Sequence, residues 1–325
     1  MRLAVTGATG FLGRRVLSHA LGAGHAVRAL VRPGKAPPPP HPALAVVPGN
    51  LEDANALSTL CGGADAVIHL AAAGVQSREQ EWAHMARVNV LAPVALVEAA
   101  ARAGVKRMVA TGTVLEYAGH GRLPDQPAPV DAPLLREDTA ALDTGDGYGA
   151  TKAAGGILLR ALARERGLAT WYLRLSALVG EGDDDGKRLP AAFAAASAGR
   201  PYETTLGEQE REWLHVDDAA EAVLRAAVRA PPGGDPTVVN IGTGEGVPLR
   251  DVVKKAFEAM GADPRLVKPG LRAYRRGEVH KLVMDTTRAS ELLGWLPRRP
   301  LEDGLAGMAA EARSVRRLWD GTGGA

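Results

Sequence analysis

Two groups of residues are spaced for chemistry. Tyr148 and Lys152 stand four apart in Tyr148-Gly149-Ala150-Thr151-Lys152, opening a run that reads as a helix through Ala163. At that spacing both side chains address one side of a helix. A free phenol titrates near about 10, too high to exchange protons readily at neutral pH, and an adjacent ammonium favours its phenolate. The pair can therefore move a proton to or from a substrate oxygen. Far upstream, Gly7, Gly10 and Gly13 follow the apolar run Leu3-Ala4-Val5-Thr6. Gly7 permits a tight turn, Gly10 lets the backbone approach a pyrophosphate, and Gly13 lets a helix pack against a strand. A helix start there offers free N–H groups to phosphates, with Phe11 and Leu12 in the turn that leads into it.

These groups need elements to hold them. Leu3–Thr6, His25–Val31, Leu44–Val47, Ala64–Ala73 and Lys106–Thr111 read as strands, and Arg14–Ala23 reads as a helix between the first two. Strands alternating with helices predict an α/β fold, a doubly wound parallel sheet of the Rossmann type. Gly119–Gly147 is rich in Pro, Asp and Gly, and is long enough for a functional or mobile loop.

Composition narrows the class. Of 325 residues, 46% are hydrophobic and 23% charged, which excludes a disordered chain, a coiled coil and a collagen-like repeat. Thirty-nine Lys and Arg against 37 Asp and Glu leave +2, so no nucleic-acid or membrane partner is expected. No run approaches the ~18 apolar residues that span a bilayer. Met1–Val5 reads as a strand and not as a secretory leader. Cys61 is the lone cysteine, so no intramolecular disulfide or cysteine-rich metal centre forms; no metal and a cytoplasmic location are expected.

Thr6-Gly7-Ala8-Thr9-Gly10-Phe11-Leu12-Gly13, with Tyr148 and Lys152 downstream, resembles the extended short-chain dehydrogenase/reductase family. Arg211-Glu212-Trp213-Leu214-His215-Val216-Asp217-Asp218, Asn240-Ile241-Gly242-Thr243-Gly244 and the stretch from Asp285 to Gly294-Trp295-Leu296-Pro297 resemble later segments of its sugar-nucleotide-modifying, epimerase/dehydratase branch. The resemblance implies a Rossmann domain, 1–175 and about 207–246, with a smaller interleaved C-terminal substrate domain, about 176–206 and 247–325.

It also implies roles. Aligning the family's S-S/T-x-x-V-Y-G pattern on Tyr117 puts Thr113 at the catalytic hydroxyl, with Thr111 as the alternative and Tyr117 bordering the substrate. Lys152 would tune Tyr148 and hold the nicotinamide ribose. Asn50 and Leu51 would lie near the adenine, Ala71 and Ala72 would line the cofactor, and Thr111 would contact it. Asn89 would contact it too, or equally would be a helix residue bonded to backbone. Arg211 and Arg275 would hold a substrate diphosphate, with Arg276 as an alternative to Arg275. NAD-binding members end the second strand on an acidic residue; here Val31 stands there and Arg32 follows, so NADP(H) is expected, with Arg14 a second phosphate contact and NAD(H) the alternative. A homodimer through the helices of Asn89 and Tyr148 is implied.

Departures from the pattern narrow the reaction. Dehydratases of the branch carry Asp-Glu directly after the catalytic hydroxyl, whereas this chain carries Val114-Leu115, which transfer no protons; Glu116 comes one position late. Epimerases acting next to a ketone use a cysteine near this region, and Cys61 is too far back. Ala177 and Val179 replace an asparagine and a tyrosine of the substrate grip. The expectation is an NADPH-dependent ketoreductase of a nucleotide-activated, deoxy keto-sugar. Alternatives are a nucleotide-sugar 4-epimerase with tightly bound NAD, a reductase of a non-nucleotide ketone or aldehyde, and an NADP-sensing regulatory protein.

Overall fold

The structure, a computed structural model, describes residues 1–75, 81–142, 144, 146–183 and 188–321. Its centre is a seven-stranded sheet of β1 (Arg2–Thr6), β2 (Ala26–Val31), β3 (Leu44–Pro48), β4 (Ala66–His69), β5 (Arg107–Thr113), β6 (Ala169–Leu175) and β7 (Thr237–Ile241). The strands are parallel, in the order β7-β6-β5-β4-β1-β2-β3. Strands covered on both faces read as unbroken apolar runs, and Leu3-Ala4-Val5, Ala66-Val67-Ile68 and Met108-Val109-Ala110 are buried throughout.

The helices are α1 (Phe11–Gly22), α2 (Ala54–Cys61), α3 (Trp82–Ala86), α4 (Ala92–Arg102), α5 (Gly147–Glu165), α6 (Arg188–Ser197), α7 (Val216–Val228), α8 (Leu249–Met260), α9 (Thr287–Leu293) and α10 (Leu301–Gly321). On one face of the sheet Val16, Leu17 and Ala20 of α1 share a core with Ala219, Val223 and Ala226 of α7. On the other, Leu57 and Leu60 of α2 pack with Leu96 and Val97 of α4 and Leu159 and Ala163 of α5. The sheet is thus a doubly wound Rossmann sheet, and the chain reverses direction across it between β1 and β4.

A smaller unit is built from segments far apart in the chain. Leu189 and Phe193 of α6, Val252 and Ala256 of α8, and Leu305 and Met308 of α10 form its core. Beside it lies a sheet of four short strands, Val247–Pro248, Glu210–Arg211, Glu278–Leu282 and His120–Leu123. His120–Leu123 belongs to the stretch read from sequence as a loop. It becomes a strand by pairing antiparallel with Glu278–Leu282, a partner too distant in sequence to leave a local signal. Among the described residues, no helix is long and apolar enough to cross a membrane.

Candidate active site

The glycine turn sits at the carboxyl end of β1, next to β4, where open α/β sheets form their ligand crevice. Gly7 has φ +75°, and a Cβ there would lie 2.6 Å from the Ala71 nitrogen. A Cβ on Gly13 would lie 2.0 Å from the Gly7 carbonyl oxygen. Both glycines are thus required by the protein's own backbone. Gly10 differs, because a Cβ there would meet only the Gly7 oxygen, at 3.3 Å. Its bareness serves an approach from outside, ahead of α1, whose first turn carries no acidic side chain. Ala71 backs onto Gly7, and Ala72 follows it; both are partly buried beyond β4 and add little bulk. A bare glycine before a helix N-terminus, walled by alanines, fits a dinucleotide pyrophosphate.

At the end of β2 Val31 is buried and Arg32 is exposed. Arg14 donates to the Thr9 carbonyl at 3.3 Å and to the Gly182 carbonyl at 2.5 Å, so its guanidinium already links the glycine turn to a segment far along the chain. Asn50 is exposed and accepts the Glu52 N–H at 2.8 Å, opening the turn into α2. Leu51 packs against the sheet's core.

The second group is pressed onto the strand ends by α5. Asp146 caps this helix, accepting the Gly149 N–H at 2.7 Å. A Cβ on Gly149 would lie 2.2 Å from the Leu115 carbonyl oxygen, and one on Gly155 1.8 Å from that of Asn89. Glycine costs a helix interior about 1 kcal/mol against alanine, and here it lets α5 lie against its neighbours. Tyr148 is partly buried beside Gly74 beyond β4. Burial first, then the carboxylates of Glu116 and Asp146, raise its pKa above the ordinary phenol value. Lys152 is buried, which lowers its pKa to about 8, while Glu116 opposes the shift. The chain thus holds the phenol protonated, contrary to the lowering expected from Lys152. With Thr111, His69 and Asn89, Lys152 lines a cavity of about 10 Å³.

Thr113 is buried at the end of β5, its Oγ1 accepting the Leu115 N–H at 3.3 Å. That bond uses a lone pair and leaves the hydroxyl proton for a donor role. Thr111 donates to the His69 carbonyl at 3.4 Å.

Three expected contacts take other forms. Asn89, expected either at the cofactor or as a helix residue bonded to backbone, takes the second form, accepting the Ala73 N–H and donating to the Ala73 carbonyl and to Thr151 Oγ1. Tyr117, expected at the substrate, is buried; its hydroxyl donates to Asn240 Oδ1 at 2.7 Å and accepts from Arg174 at 2.9 Å. Burial pushes that hydroxyl up to about 12, so it remains a neutral brace. Arg211 donates to the carbonyls of Glu210, Val279 and His280 and pairs with Glu278 at 3.1 Å. Its guanidinium clamps two strands of the small sheet, while Arg275 and Arg276 are exposed in the turn leading into that same strand.

Glu116, one position late for a dehydratase acid, lies buried with Tyr172 and Arg174 behind these residues, a pairing the motifs did not announce. A signal was present: one acid in the apolar run Val114–Tyr117 and one arginine in the buried strand β6 are complementary charges, each needing a partner.

A model of the NAD dependent epimerase/dehydratase family matches residues 3–242. The chain is 30% identical to a dTDP-glucose 4,6-dehydratase of Streptomyces antibioticus, covering 98% of this chain and 95% of that protein. It is 31% identical to a dTDP-6-deoxy-L-talose 4-dehydrogenase (NAD(P)(+)) of Kitasatospora kifunensis, covering 98% and 94%. Among solved structures, MoeE5 in complex with UDP-glucuronic acid and NAD superposes with a TM-score of 0.83 at 30% identity, covering 97% of this chain and 99% of that one. The chain therefore belongs to the NAD dependent epimerase/dehydratase family of sugar-nucleotide-modifying enzymes.

Proposed function

We propose that the protein is an NADPH-dependent ketoreductase of a nucleotide-activated, deoxy keto-sugar. The observation that carries this reading is the site's composition: a protonated phenol, a buried ammonium and a hydroxyl at the strand ends, followed by apolar Val114 and Leu115. The dehydratase resemblance at 30% identity lacks support at these two positions, because water elimination needs groups that exchange protons there. The dehydrogenase resemblance needs only the phenol, the ammonium and the hydroxyl.

The Gly7–Gly13 turn, Ala71, Ala72 and Lys152 would hold a nicotinamide dinucleotide, which when bound supplies hydride in reduction and accepts it in oxidation. Thr113 orients the substrate oxygen by donating its hydroxyl proton. Tyr148 transfers its proton to that oxygen as the carbonyl becomes an alkoxide, and is left as phenolate. Lys152, positively charged below about pH 8, stabilises that phenolate until a solvent proton returns. Arg275 and Arg276 are exposed in the turn before the Glu278–Leu282 strand and suit the diphosphate; Arg211 holds the strand behind them. Segments of about 176–206 and 247–325 would form the substrate side. Arg32, exposed after an apolar strand end, favours a 2′-phosphate and so NADP(H).

The 4-epimerase reading has its own support in the family's description and in MoeE5, which binds NAD together with a UDP-sugar. A homodimer rests on Leu91 beside α4 and on Ile157 and Leu158 of α5, large apolar side chains left exposed there.

The test offers dTDP-6-deoxy-L-talose, dTDP-glucose and UDP-glucose with NAD⁺ or NADP⁺ to the purified chain. Net reduction of NADP⁺ by the deoxysugar, lost in Tyr148→Phe while cofactor binding persists, is the expected result. Conversion of a UDP-sugar with no net change in nicotinamide absorbance would make the protein an epimerase instead.

A further inference from the structure

Glu116 sits in the 3-10 turn that follows β5, facing inward and 1% exposed. Its Oε1 accepts the Thr113 N–H at 2.9 Å and lies 2.8 Å from the Tyr172 hydroxyl. That hydroxyl is also 3.0 Å from the Lys152 carbonyl oxygen, so its proton is shared between β5's end and α5. Oε2 accepts Arg174 Nε at 2.8 Å. Arg174 lies 4.6 Å from the centre of the Tyr117 ring and donates to its hydroxyl, and Arg160 lies 5.5 Å from the Tyr172 ring. The titratable groups facing this carboxylate are thus Arg174, Arg160, Tyr172, Tyr117, Tyr148 and Lys152.

One carboxylate therefore touches the backbone of the hydroxyl residue directly, and that of the lysine through one phenol. A plain buried ion pair with Arg174 needs neither link. A charge in that place also acts at short range in a water-poor interior, where it is weakly screened. Its sign favours the proton-bearing forms of both Tyr148 and Lys152.

We propose that Glu116 is a positioning residue for the reaction: its carboxylate sets the register of Thr113 against the Tyr148–Lys152 face of α5 and supplies the negative charge beneath it. This rests on the reading that those three residues perform the chemistry. It assigns no proton transfer to Glu116, which faces the core.

The test uses Glu116→Gln and Tyr172→Phe in the full-length protein. Two measurements are compared: the pH profile of kcat/KM with the best substrate of the panel above, and an NMR titration of the cofactor-free protein labelled at lysine Cε, with Lys152 assigned by Lys152→Arg. Glu116→Gln keeps the shape and removes the charge. It should lower kcat about tenfold with KM within about twofold, and shift both the alkaline limb and the Lys152 titration down by on the order of half a pH unit or more. Tyr172→Phe keeps the charge and cuts the link, so kcat should fall while the Lys152 titration stays in place. A Glu116→Gln protein whose Lys152 titration and alkaline limb match the wild type overturns the electrostatic part. An unchanged kcat in Tyr172→Phe overturns the positioning part, and stands as the test if Glu116→Gln does not fold. If the reading of the active site itself is wrong, Tyr148→Phe keeps its turnover while the Lys152 titration still shifts in Glu116→Gln.

Discussion

The carboxamide of Asn89 pairs with Ala73 at both ends: Oδ1 accepts the Ala73 N–H and Nδ2 donates to the Ala73 carbonyl, each at 2.9 Å. The same nitrogen donates to Thr151 Oγ1 at 3.0 Å, one residue before Lys152. Asn89 thus stitches the segment that leaves β4 to the helix that carries Tyr148 and Lys152. It does so from a π-helical turn, Arg87–Leu91, between α3 and α4.

Asn89→Ala leaves the Ala73 amide and carbonyl buried without these partners. An orphaned buried group costs about 1–3 kcal/mol, so urea unfolding should register a loss of about 2–4 kcal/mol. Cofactor affinity should fall as well, because Ala71 and Ala72 lose their anchor. Asn89→Asp should fare no better, since an oxygen would then face the Ala73 carbonyl. A stability loss below about 0.5 kcal/mol for both variants would contradict the stitch.

The three glycines of the first turn should separate on substitution. Gly13→Ala places a Cβ 2.0 Å from the Gly7 oxygen, where nothing flexible can yield. It should fail to fold, or melt far below the wild type. Gly10→Ala meets only a 3.3 Å contact and should melt within a few degrees of the wild type. Its loss should appear in affinity for the nicotinamide dinucleotide, tenfold or more by calorimetric titration, since the methyl occupies the space a phosphate needs. Wild-type binding by Gly10→Ala would remove the cradle from the cofactor site.

Arg211 and Arg275 should also part company. Arg211 holds Glu278 and three carbonyls, so Arg211→Ala should lower stability and raise KM for the nucleotide sugar together. Arg275 is exposed in its turn. Arg275→Ala should raise KM about tenfold or more with an unchanged melting temperature. Unchanged KM in both variants would favour a non-nucleotide ketone as substrate.

Local patterns carried the Rossmann sheet, because its strands are apolar runs bounded by glycine turns and its first connection is a motif with a physical reason at each glycine. Tyr148 and Lys152 were legible for the same reason: helical spacing alone puts them on one face. Residues whose roles depend on distant partners were not legible. Tyr117 reads as a substrate contact until Arg174 and Asn240 are known to claim its hydroxyl. Glu116 reads as a displaced acid until Arg174, fifty-eight residues on, turns it inward. The fall of the Tyr148 pKa expected from Lys152 does not occur, because burial and the carboxylates of Glu116 and Asp146 raise it.

His69 ends β4 with Nδ1 2.8 Å from Thr6 Oγ1, while its Nε2 is buried and meets no hydrogen-bond partner among the described residues. Burial first, and Lys152 second, lower its pKa from 6.5 to about 3. The folded chain therefore holds His69 neutral where the unfolded chain would protonate it. That stability is present in full above about pH 6.5 and is lost as the pH falls towards 3. Glu212 works the other way, since burial raises its pKa from 4.5 to about 7. Its share is present in full below about 4.5 and is lost as the pH rises towards 7. The two overlap in the wild-type curve, so the informative quantity is the difference between wild type and His69→Gln, in which Glu212 is common to both. Urea unfolding from pH 7 to pH 4 should show the advantage of the wild type shrinking, at a slope approaching about 1.4 kcal/mol per pH unit. Parallel curves would mean that His69 is hydrated or charged in the folded protein, and that the small cavity it shares with Lys152 admits a proton from solvent.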